Sequence, residues 1–152
     1  MGLADVKKQF AEQGWDLKIL EFEQSSATVD LAAQALGVEP ARIAKTMALR
    51  VKEEVILVLA KGDARIDNRK FKDCFKAKAR MLGPDEVLTE TGHPVGGVCP
   101  FGLKRPLPVY LDASLREFDY VYPAAGTPNS AVRVEVEDLA KMTGGQWVEV
   151  CS

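Results

Sequence analysis

Apolar positions along the chain recur in patterns that predict strands and helices in alternation. Residues 55–60, Val-Ile-Leu-Val-Leu-Ala, are the longest apolar run, and both of its alternating sets of positions are apolar. A strand has this composition when both faces of its sheet are covered. The run therefore predicts a central strand within residues 54–61. Residues 43–52 predict a second strand, joined to it by a tight turn at residues 52–54.

The other periodic segments complete a mixed architecture. Further strands are predicted at residues 17–22, 107–112, 120–124, 131–136 and 147–150. Helices are predicted at residues 4–13, 28–36, 68–79, 85–90 and 137–142, with a short helical turn from Pro40. Thr28 and Asn68 are candidate N-caps, and Gly37 is a candidate C-terminal glycine. This uneven mixture predicts a mixed α/β (α+β) fold, with residues 1–152 forming a single domain.

Length and composition are those of one globular domain. The chain has 152 residues, of which 47% are hydrophobic and 28% charged, which excludes a disordered tail, a collagen-like chain and a coiled coil. Six consecutive apolar residues are far short of the roughly 20 that span a membrane. Asp5, Lys7 and Lys8 interrupt the start of the chain, so no signal peptide is predicted. We expect a free-standing cytoplasmic protein with no membrane partner.

Cysteine and histidine are sparse. Cys74, Cys99 and Cys151 are widely spaced, and His93 is the one histidine. Free thiols fit this pattern better than disulfides do. Paired ligands at short spacing, the usual signature of a zinc site, are missing, so no metal and no cofactor are predicted.

Charge is distributed unevenly. Residues 61–80 carry a balance of +5, although the whole chain has a net charge of −2, which leaves −7 elsewhere. A local basic patch on an acidic protein suggests an anionic partner of limited footprint. The alternative interpretation is an ordinary solvated helix face.

Lys45 lies at a strand position where an apolar residue is expected. It shares its parity with Ile43, Met47, Leu49 and Val51, so the pleat of the strand should bury it. An unpaired buried ammonium group costs several kcal/mol. Lys45 therefore either has a partner, extends to solvent at the strand end, or faces a pocket in which it would bind a phosphate or carboxylate.

Two segments rich in small residues are candidate binding loops. Residues 92–102, Gly-His-Pro-Val-Gly-Gly-Val-Cys-Pro-Phe-Gly, contain four glycines and two prolines and fit neither a helix nor a long strand. Exposed backbone N–H groups in such a loop can bind anions and carbonyl oxygens, although a structural corner is the alternative. Residues 124–130, Ala-Ala-Gly-Thr-Pro-Asn-Ser, form either a second binding turn or a plain hairpin. Cys99 and His93 also allow a thiol hydrolase, provided that the two groups lie within about 3 Å.

A series of ordered motifs gives the chain a family resemblance. Ala44-Lys45-Thr46 follows the helix end at Leu36-Gly37-Val38. It is followed by residues 92–102, by residues 125–130 and by Asp138-Leu139-Ala140. From about residue 17 to residue 150, the chain resembles the YbaK/prolyl-tRNA synthetase-associated editing domain family. The resemblance implies a barrel-like mixed sheet flanked by helices. It also implies hydrolysis of wrong amino acids from tRNA, most often tRNA(Pro).

The resemblance also assigns roles to residues. Lys45 corresponds to the family's invariant lysine, which makes it the candidate catalytic residue. The implied substrate-binding residues are Thr46, Gly92, His93, Pro94, Val95, Gly96, Gly97, Val98, Cys99, Pro100, Gly126, Asn129 and Ser130. Lys70, Lys72 and Lys76 of the basic segment are candidate tRNA contacts. Prolyl-tRNA synthetase is a candidate protein partner.

Two departures leave the amino-acid substrate open. The cysteine-removing branch has an acidic residue near the position of Ala131, and the alanine-removing branch has a histidine near the position of Ala125. Neither is present, so the chain is closer to the broader small-amino-acid branches. The alternatives to a deacylase are a noncatalytic RNA- or protein-binding module on the same fold and a Cys99 thiol enzyme. The oligomeric state stays open.

Overall fold

A computed structural model of the protein describes residues 2–152. The helices are α1 (Leu3–Gln13), α2 (Val29–Leu36), α3 (Asn68–Phe75), α4 (Pro84–Thr91) and α5 (Val136–Thr143), with 3-10 turns at Pro40–Arg42 and Ala113–Glu117. The strands are β1 (Ile19–Glu21), β2 (Ile43–Val51), β3 (Glu54–Lys61), β4 (Arg80–Met81), β5 (Val109–Asp112), β6 (Tyr120–Pro123), β7 (Ser130–Val132), β8 (Val134–Glu135) and β9 (Gln146–Val148). No helix among these residues is long and apolar enough to cross a membrane.

The antiparallel β2–β3 hairpin is the centre of the main sheet. The strand order is β8-β6-β2-β3-β5-β9, and β4 pairs with the far end of β2. The pairs β2–β6, β3–β5 and β5–β9 are parallel, whereas β6–β8 and β2–β4 are antiparallel. This sheet curls into a half-barrel, and β1 and β7 form a separate two-stranded sheet. The predicted mixed α/β fold with a barrel-like mixed sheet is confirmed.

The predicted central strand is covered on both faces. Leu57 and Leu59 of β3 pack into one apolar cluster, which also contains Phe101. Ile56 and Val58 pack into a second cluster, which contains Phe71 of α3. Because alternate β3 side chains point in opposite directions, this strand joins the two halves of the core.

The helix predicted over residues 68–79 is shorter in the structure. The Asp67 side chain, rather than that of Asn68, caps α3 by accepting hydrogen bonds from the backbone N–H groups of Arg69 and Lys70, both at 3.0 Å. The helix ends at Phe75, and Lys76 has a left-handed backbone with φ of 60°. The chain must turn here because Arg80–Met81 adds the short strand β4 to β2.

The strand predicted over residues 131–136 is two short strands with different partners. β7 pairs with β1, whereas β8 pairs with β6. Arg133 lies exposed between them, and Val136 begins α5. Val132, Val134 and Val136 are buried, as the alternation predicts. The strands predicted at residues 17–22, 107–112 and 147–150 are shorter or shifted, at Ile19–Glu21, Val109–Asp112 and Gln146–Val148.

A buried carboxylate fixes the C-terminal segment against the sheet. Asp112, at the end of β5, is 2% exposed. It accepts hydrogen bonds from the backbone N–H groups of Val150 at 2.8 Å and Cys151 at 3.1 Å, and its second oxygen accepts from Ser114 N–H at 3.0 Å. Burial raises the pKa of Asp112, but these hydrogen bonds outweigh it and lower the pKa below its ordinary value. Cys151 is thereby held on the side of the sheet that carries Lys45.

Candidate functional site

A cavity of about 250 Å³ opens beside the first half of β2. We call it the β2 cavity. Its lining residues come from five parts of the chain: Ser26, Ala27, Thr28, Val29 and Ala32; Ile43, Ala44, Lys45, Thr46, Met47 and Ala48; Met81, Leu82 and Val87; Val95, Gly96 and Val98; and Tyr122, Ala124, Ser130 and Ala131. Most of this wall is apolar, and Lys45 is its one charged residue.

The start of α2 and residues 92–102 form adjoining parts of the cavity wall. We call residues 92–102 the glycine loop. Thr28 fixes the start of α2 because its hydroxyl accepts a hydrogen bond from Leu31 N–H at 3.1 Å. Gly96 has φ of +89°, and a Cβ added there would lie 2.8 Å from the Ala27 Cβ. A glycine is therefore required at this point, both by the backbone conformation and by the space available.

Lys45 lines the cavity and is half-buried. It pairs in register with Ala60 of β3. Its ammonium group donates a hydrogen bond to the backbone carbonyl of Ala64, and it forms no ion pair within residues 2–152. Burial lowers the pKa of Lys45 below its ordinary value, although Cys151 and Asp63 oppose that shift. An ammonium group has three N–H donors, so two remain for a ligand.

Backbone donors are also free at the cavity. Gly96 and Val98 line it, and within residues 2–152 their amide N–H groups donate to no acceptor. Unpaired amides beside a cavity suit a ligand that brings a carbonyl or phosphate oxygen. Both residues belong to the loop whose backbone N–H groups the sequence predicts to bind a ligand oxygen.

The glycine loop is closed by direct backbone contact with the turn at residues 124–130. Gly126 N–H donates to the Gly97 carbonyl at 3.0 Å. A Cβ at Gly97 would lie 2.6 Å from the Thr127 nitrogen and 2.7 Å from the Gly126 carbonyl carbon. Only glycine permits this approach, which brings the two segments singled out in the sequence into one structure.

Cys99 and His93 do not form a thiol–imidazole dyad. His93 Nε2 lies 2.6 Å from the Phe101 carbonyl oxygen, which can only accept, so Nε2 carries the proton. The Cys99 thiol donates to the same carbonyl at 3.5 Å and lies 3.7 Å from Nε2. Burial raises the pKa of Cys99 to about 12 and lowers that of His93. A protonated Nε2 cannot accept the thiol proton, and both side chains are fully buried.

The structure brings six of the predicted site residues to the cavity: Lys45, Thr46, Val95, Gly96, Val98 and Ser130. The others lie away from its wall: Gly92, His93, Pro94, Gly97, Cys99, Pro100, Gly126 and Asn129. His93 and Cys99 fill the core beneath the loop, whereas Asn129 is exposed and its Nδ2 donates to the Phe22 carbonyl at 3.0 Å. Ser26, Met81 and Tyr122 were not predicted from the sequence, and they reach the wall from segments with no motif of their own.

A wider groove of about 960 Å³ lies between α1 and α4. We call it the α4 groove. Gly92, Pro100 and Gly102 line it, so the glycine loop separates the groove from the β2 cavity. Its charged residues include Arg105, which forms an ion pair with Glu90. We place the site in the smaller cavity because its lysine is half-buried, whereas Lys8 and Lys104 of the groove are exposed, and because the buried hydroxyls of two of its wall residues lack partners within residues 2–152.

The three candidate tRNA-contacting lysines differ in their surroundings. Lys70 donates to the Cys151 carbonyl at 3.1 Å and lies 3.6 Å from Glu149. Lys72 and Lys76 are exposed and form no ion pair within residues 2–152.

No group of three or more side chains that could together bind a metal ion occurs within residues 2–152.

Comparison with known proteins decides the family. The model of the aminoacyl-tRNA editing domain matches residues 23–142, most of the chain and all of the elements that line the cavity. The chain belongs to the aminoacyl-tRNA editing domain family. The predicted YbaK-like family membership is thereby confirmed.

Individual relatives are consistent with this assignment. The chain is 46% identical over 153 residues to the uncharacterized protein YwhH of Bacillus subtilis, covering 99% of this chain and 98% of YwhH. It is 25% identical over 131 residues to EbsC of Enterococcus faecalis, named "Putative Cys-tRNA(Pro)/Cys-tRNA(Cys) deacylase", covering 85% of this chain and 80% of EbsC. A crystal structure described as "a putative trans-editing enzyme for prolyl tRNA synthetase" superposes with a TM-score of 0.90 at 32% identity, covering 99% of this chain and 96% of that one.

Gly97→Ala tests the backbone contact that closes this editing-domain cavity. The added methyl would overlap the backbone at residues 126–127, so we expect a loss of about 1 to 3 kcal/mol in the free energy of unfolding. Gly83→Ala is the matched control, because its Cβ would meet only the Glu86 carboxylate, at 3.9 Å. It should cost less than about 1 kcal/mol. Equal losses in urea unfolding of the two variants would show that the Gly97 contact is not close-packed.

Proposed function

We propose that the protein hydrolyses the ester bond of mischarged aminoacyl-tRNA, with tRNA(Pro) carrying a small wrong amino acid as the substrate. The observation that carries this proposal is the β2 cavity, where Lys45 and the free amides of Gly96 and Val98 meet a small, mostly apolar chamber. A chamber of about 250 Å³ suits a small aminoacyl group. The rest of the tRNA would remain outside.

The reaction needs no strong protein nucleophile because an aminoacyl ester is already activated. The oxygen of a water molecule bonds to the ester carbonyl carbon, and negative charge develops on the carbonyl oxygen. The bond to the tRNA ribose oxygen then breaks, that oxygen takes the proton released by the water, and the free amino acid leaves. Amide N–H donors at the developing oxyanion contribute roughly 3 kcal/mol each to such transition states, and Gly96 and Val98 would supply them.

Lys45 would bind the anionic end of the same substrate. Its ammonium group has one carbonyl partner, which leaves two donors for the phosphate of the terminal adenosine or for the ester oxygen. No ion pair within residues 2–152 competes for this charge. We assign Lys45 the role of positioning the ester and stabilising its transition state.

The relatives support the choice of tRNA. EbsC is named for Cys-tRNA(Pro) and Cys-tRNA(Cys), and the solved structure is described as acting in trans for prolyl-tRNA synthetase. We therefore propose tRNA(Pro) as the substrate and prolyl-tRNA synthetase as the enzyme whose errors this protein corrects, within the cytoplasm.

Lys45→Ala should reduce the rate of deacylation by about 100-fold or more, since it removes an electrostatic contact to the reacting ester. The fold should persist, because the substitution removes a half-buried charge without opening a large core cavity. Rates are measured on tRNA(Pro) charged with alanine, serine, threonine, cysteine or 2-aminobutyrate, and folding is checked by thermal unfolding.

Cys99→Ala is the matched control for that experiment. It should retain most of the activity, because the thiol is buried and protonated. Near wild-type turnover by Lys45→Ala would remove Lys45 from the site, and loss of activity in Cys99→Ala with a trapped acyl-cysteine would favour the thiol enzyme. A wild-type protein that deacylates none of these tRNAs would favour the noncatalytic binding module.

Two exposed lysines would contact the tRNA backbone: Lys72 in α3 and Lys76, which directly follows that helix. We expect Lys72→Ala/Lys76→Ala to raise KM for charged tRNA while leaving turnover of an aminoacyl-adenosine unchanged, since distant phosphate contacts stabilise ground and transition states alike. The log–log salt dependence of binding should flatten by roughly 0.7 to 0.9 per lost phosphate contact. Lys70 is expected to matter less because it is held by Cys151 and Glu149.

The charge-matched control is Lys18→Ala/Lys141→Ala, which removes two exposed lysines outside this segment. If both double variants change KM and the salt slope equally, the basic segment is a solvated helix face and tRNA docks elsewhere.

A further inference from the structure

The hydroxyl groups in the wall of the β2 cavity differ in whether they have a hydrogen-bond partner within the protein. Ser130 is satisfied within the protein, because it accepts from the Thr127 hydroxyl at 2.7 Å and lies 3.3 Å from the Thr127 carbonyl. Ser26 and Thr46 are not. Both hydroxyl oxygens are buried, and neither has a hydrogen-bond partner within residues 2–152. Ser26 as a whole is only 6% exposed.

Unpartnered hydroxyls are unusual in a folded protein. A buried polar group without a partner costs about 1 to 3 kcal/mol. Local structure does not require these hydroxyls: Ser26 is held by its backbone N–H, which donates to the Pro128 carbonyl at 2.7 Å, and Thr46 is held by its pairing with Leu59. Two such groups on the wall of one cavity indicate a ligand that completes them.

The remaining wall limits what that ligand can be. Apart from these hydroxyls, those of Ser130, Thr28 and Tyr122, and the ammonium group of Lys45, its side chains are apolar. It offers no carboxylate for a basic side chain and leaves little room for a large one. A side-chain hydroxyl fits, because one hydroxyl can donate to one protein oxygen and accept from the other.

We propose that Ser26 and Thr46 are specificity-determining residues that hydrogen-bond the side-chain hydroxyl of the aminoacyl group. The preferred substrates are then tRNAs charged with serine or threonine, ahead of those charged with alanine or 2-aminobutyrate. This inference rests on the proposed deacylase function. A site built to bind a substrate hydroxyl rejects the analogue that lacks it much more strongly than an apolar pocket rejects a change of one methylene.

Serine and 2-aminobutyrate provide the decisive comparison, because a hydroxyl replaces a methyl group of similar size. Single-turnover deacylation is measured with the full chain and tRNA(Pro) charged with either amino acid. The wild-type protein should hydrolyse the seryl ester at least about tenfold faster than the 2-aminobutyryl ester. Ser26→Ala and Thr46→Val should slow seryl hydrolysis about tenfold and leave 2-aminobutyryl hydrolysis within about twofold.

Two further variants separate specificity from structure. Thr46→Ser keeps the hydroxyl and should restore the preference for serine. Thr89→Ala removes an exposed hydroxyl of α4 outside the β2 cavity and should change neither rate.

Each outcome has a distinct meaning. Equal wild-type rates on the two esters overturn the proposed specificity and leave the deacylase function intact. Equal slowing of both esters by Ser26→Ala and Thr46→Val also overturns it, since the two residues would then be structural. Hydrolysis of neither ester, together with no activity on any other charged tRNA, overturns both the specificity and the function.

Discussion

The close approach of two backbones, at Gly97 and Gly126, is the constraint on which the site depends. The Gly126 amide donates to the Gly97 carbonyl, and neither residue has room for a Cβ, because Gly126 is also packed against Gly2 and Leu3. This contact holds the glycine loop over the β2 cavity. With the loop fixed, Gly96 and Val98 lie on the cavity side while His93 and Cys99 are buried beneath it.

Two of the three buried side-chain polar atoms that lack a partner within residues 2–152 belong to residues of the β2 cavity wall, and the third is Nδ1 of His93 beneath the glycine loop. Asp112 is nearly as buried as any core residue, yet three backbone N–H groups satisfy its carboxylate. Thr91 is fully buried, and its hydroxyl bonds the Val87 carbonyl at 2.7 Å. In the cavity wall, by contrast, the hydroxyls of Ser26 and Thr46 and the amides of Gly96 and Val98 have no partner within residues 2–152, and the Lys45 ammonium group has only a carbonyl. Because folding satisfies most buried polar groups, this concentration is the physical sign of a binding site.

The sequence was informative about the fold wherever a periodic pattern had one structural cause. Residues 55–60 predicted the central strand because apolar residues at both parities require two covered faces, and the structure has both. The strand at residues 131–136 was predicted as continuous because its alternation persists across Arg133, but alternation does not reveal that β7 and β8 have different partners. The length of α3 was overestimated for a similar reason, since the pairing of β4 with β2 is a tertiary constraint.

The candidate site was predicted unevenly. Lys45 could be found because a lysine interrupts an apolar stripe, and the glycine loop because its composition excludes regular structure. The sequence does not show which loop residues face the cavity, since that depends on the contact at Gly97. Ser26 could not be identified at all, because it lies in a polar stretch, residues 23–28, where one serine resembles another. Only its burial in the fold separates it from exposed Ser25.

The central claim is that the β2 cavity, and not the larger α4 groove, receives the aminoacyl end of the substrate. Amide chemical shifts recorded while titrating an adenosine that carries an aminoacyl amide in place of the 3′ ester test it directly. We predict the largest changes at Gly96, Val98 and Thr46, with little change at Gly102 and Leu103, which line the groove. The largest changes at Gly102 and Leu103, with Gly96 and Val98 unaffected, would contradict the account.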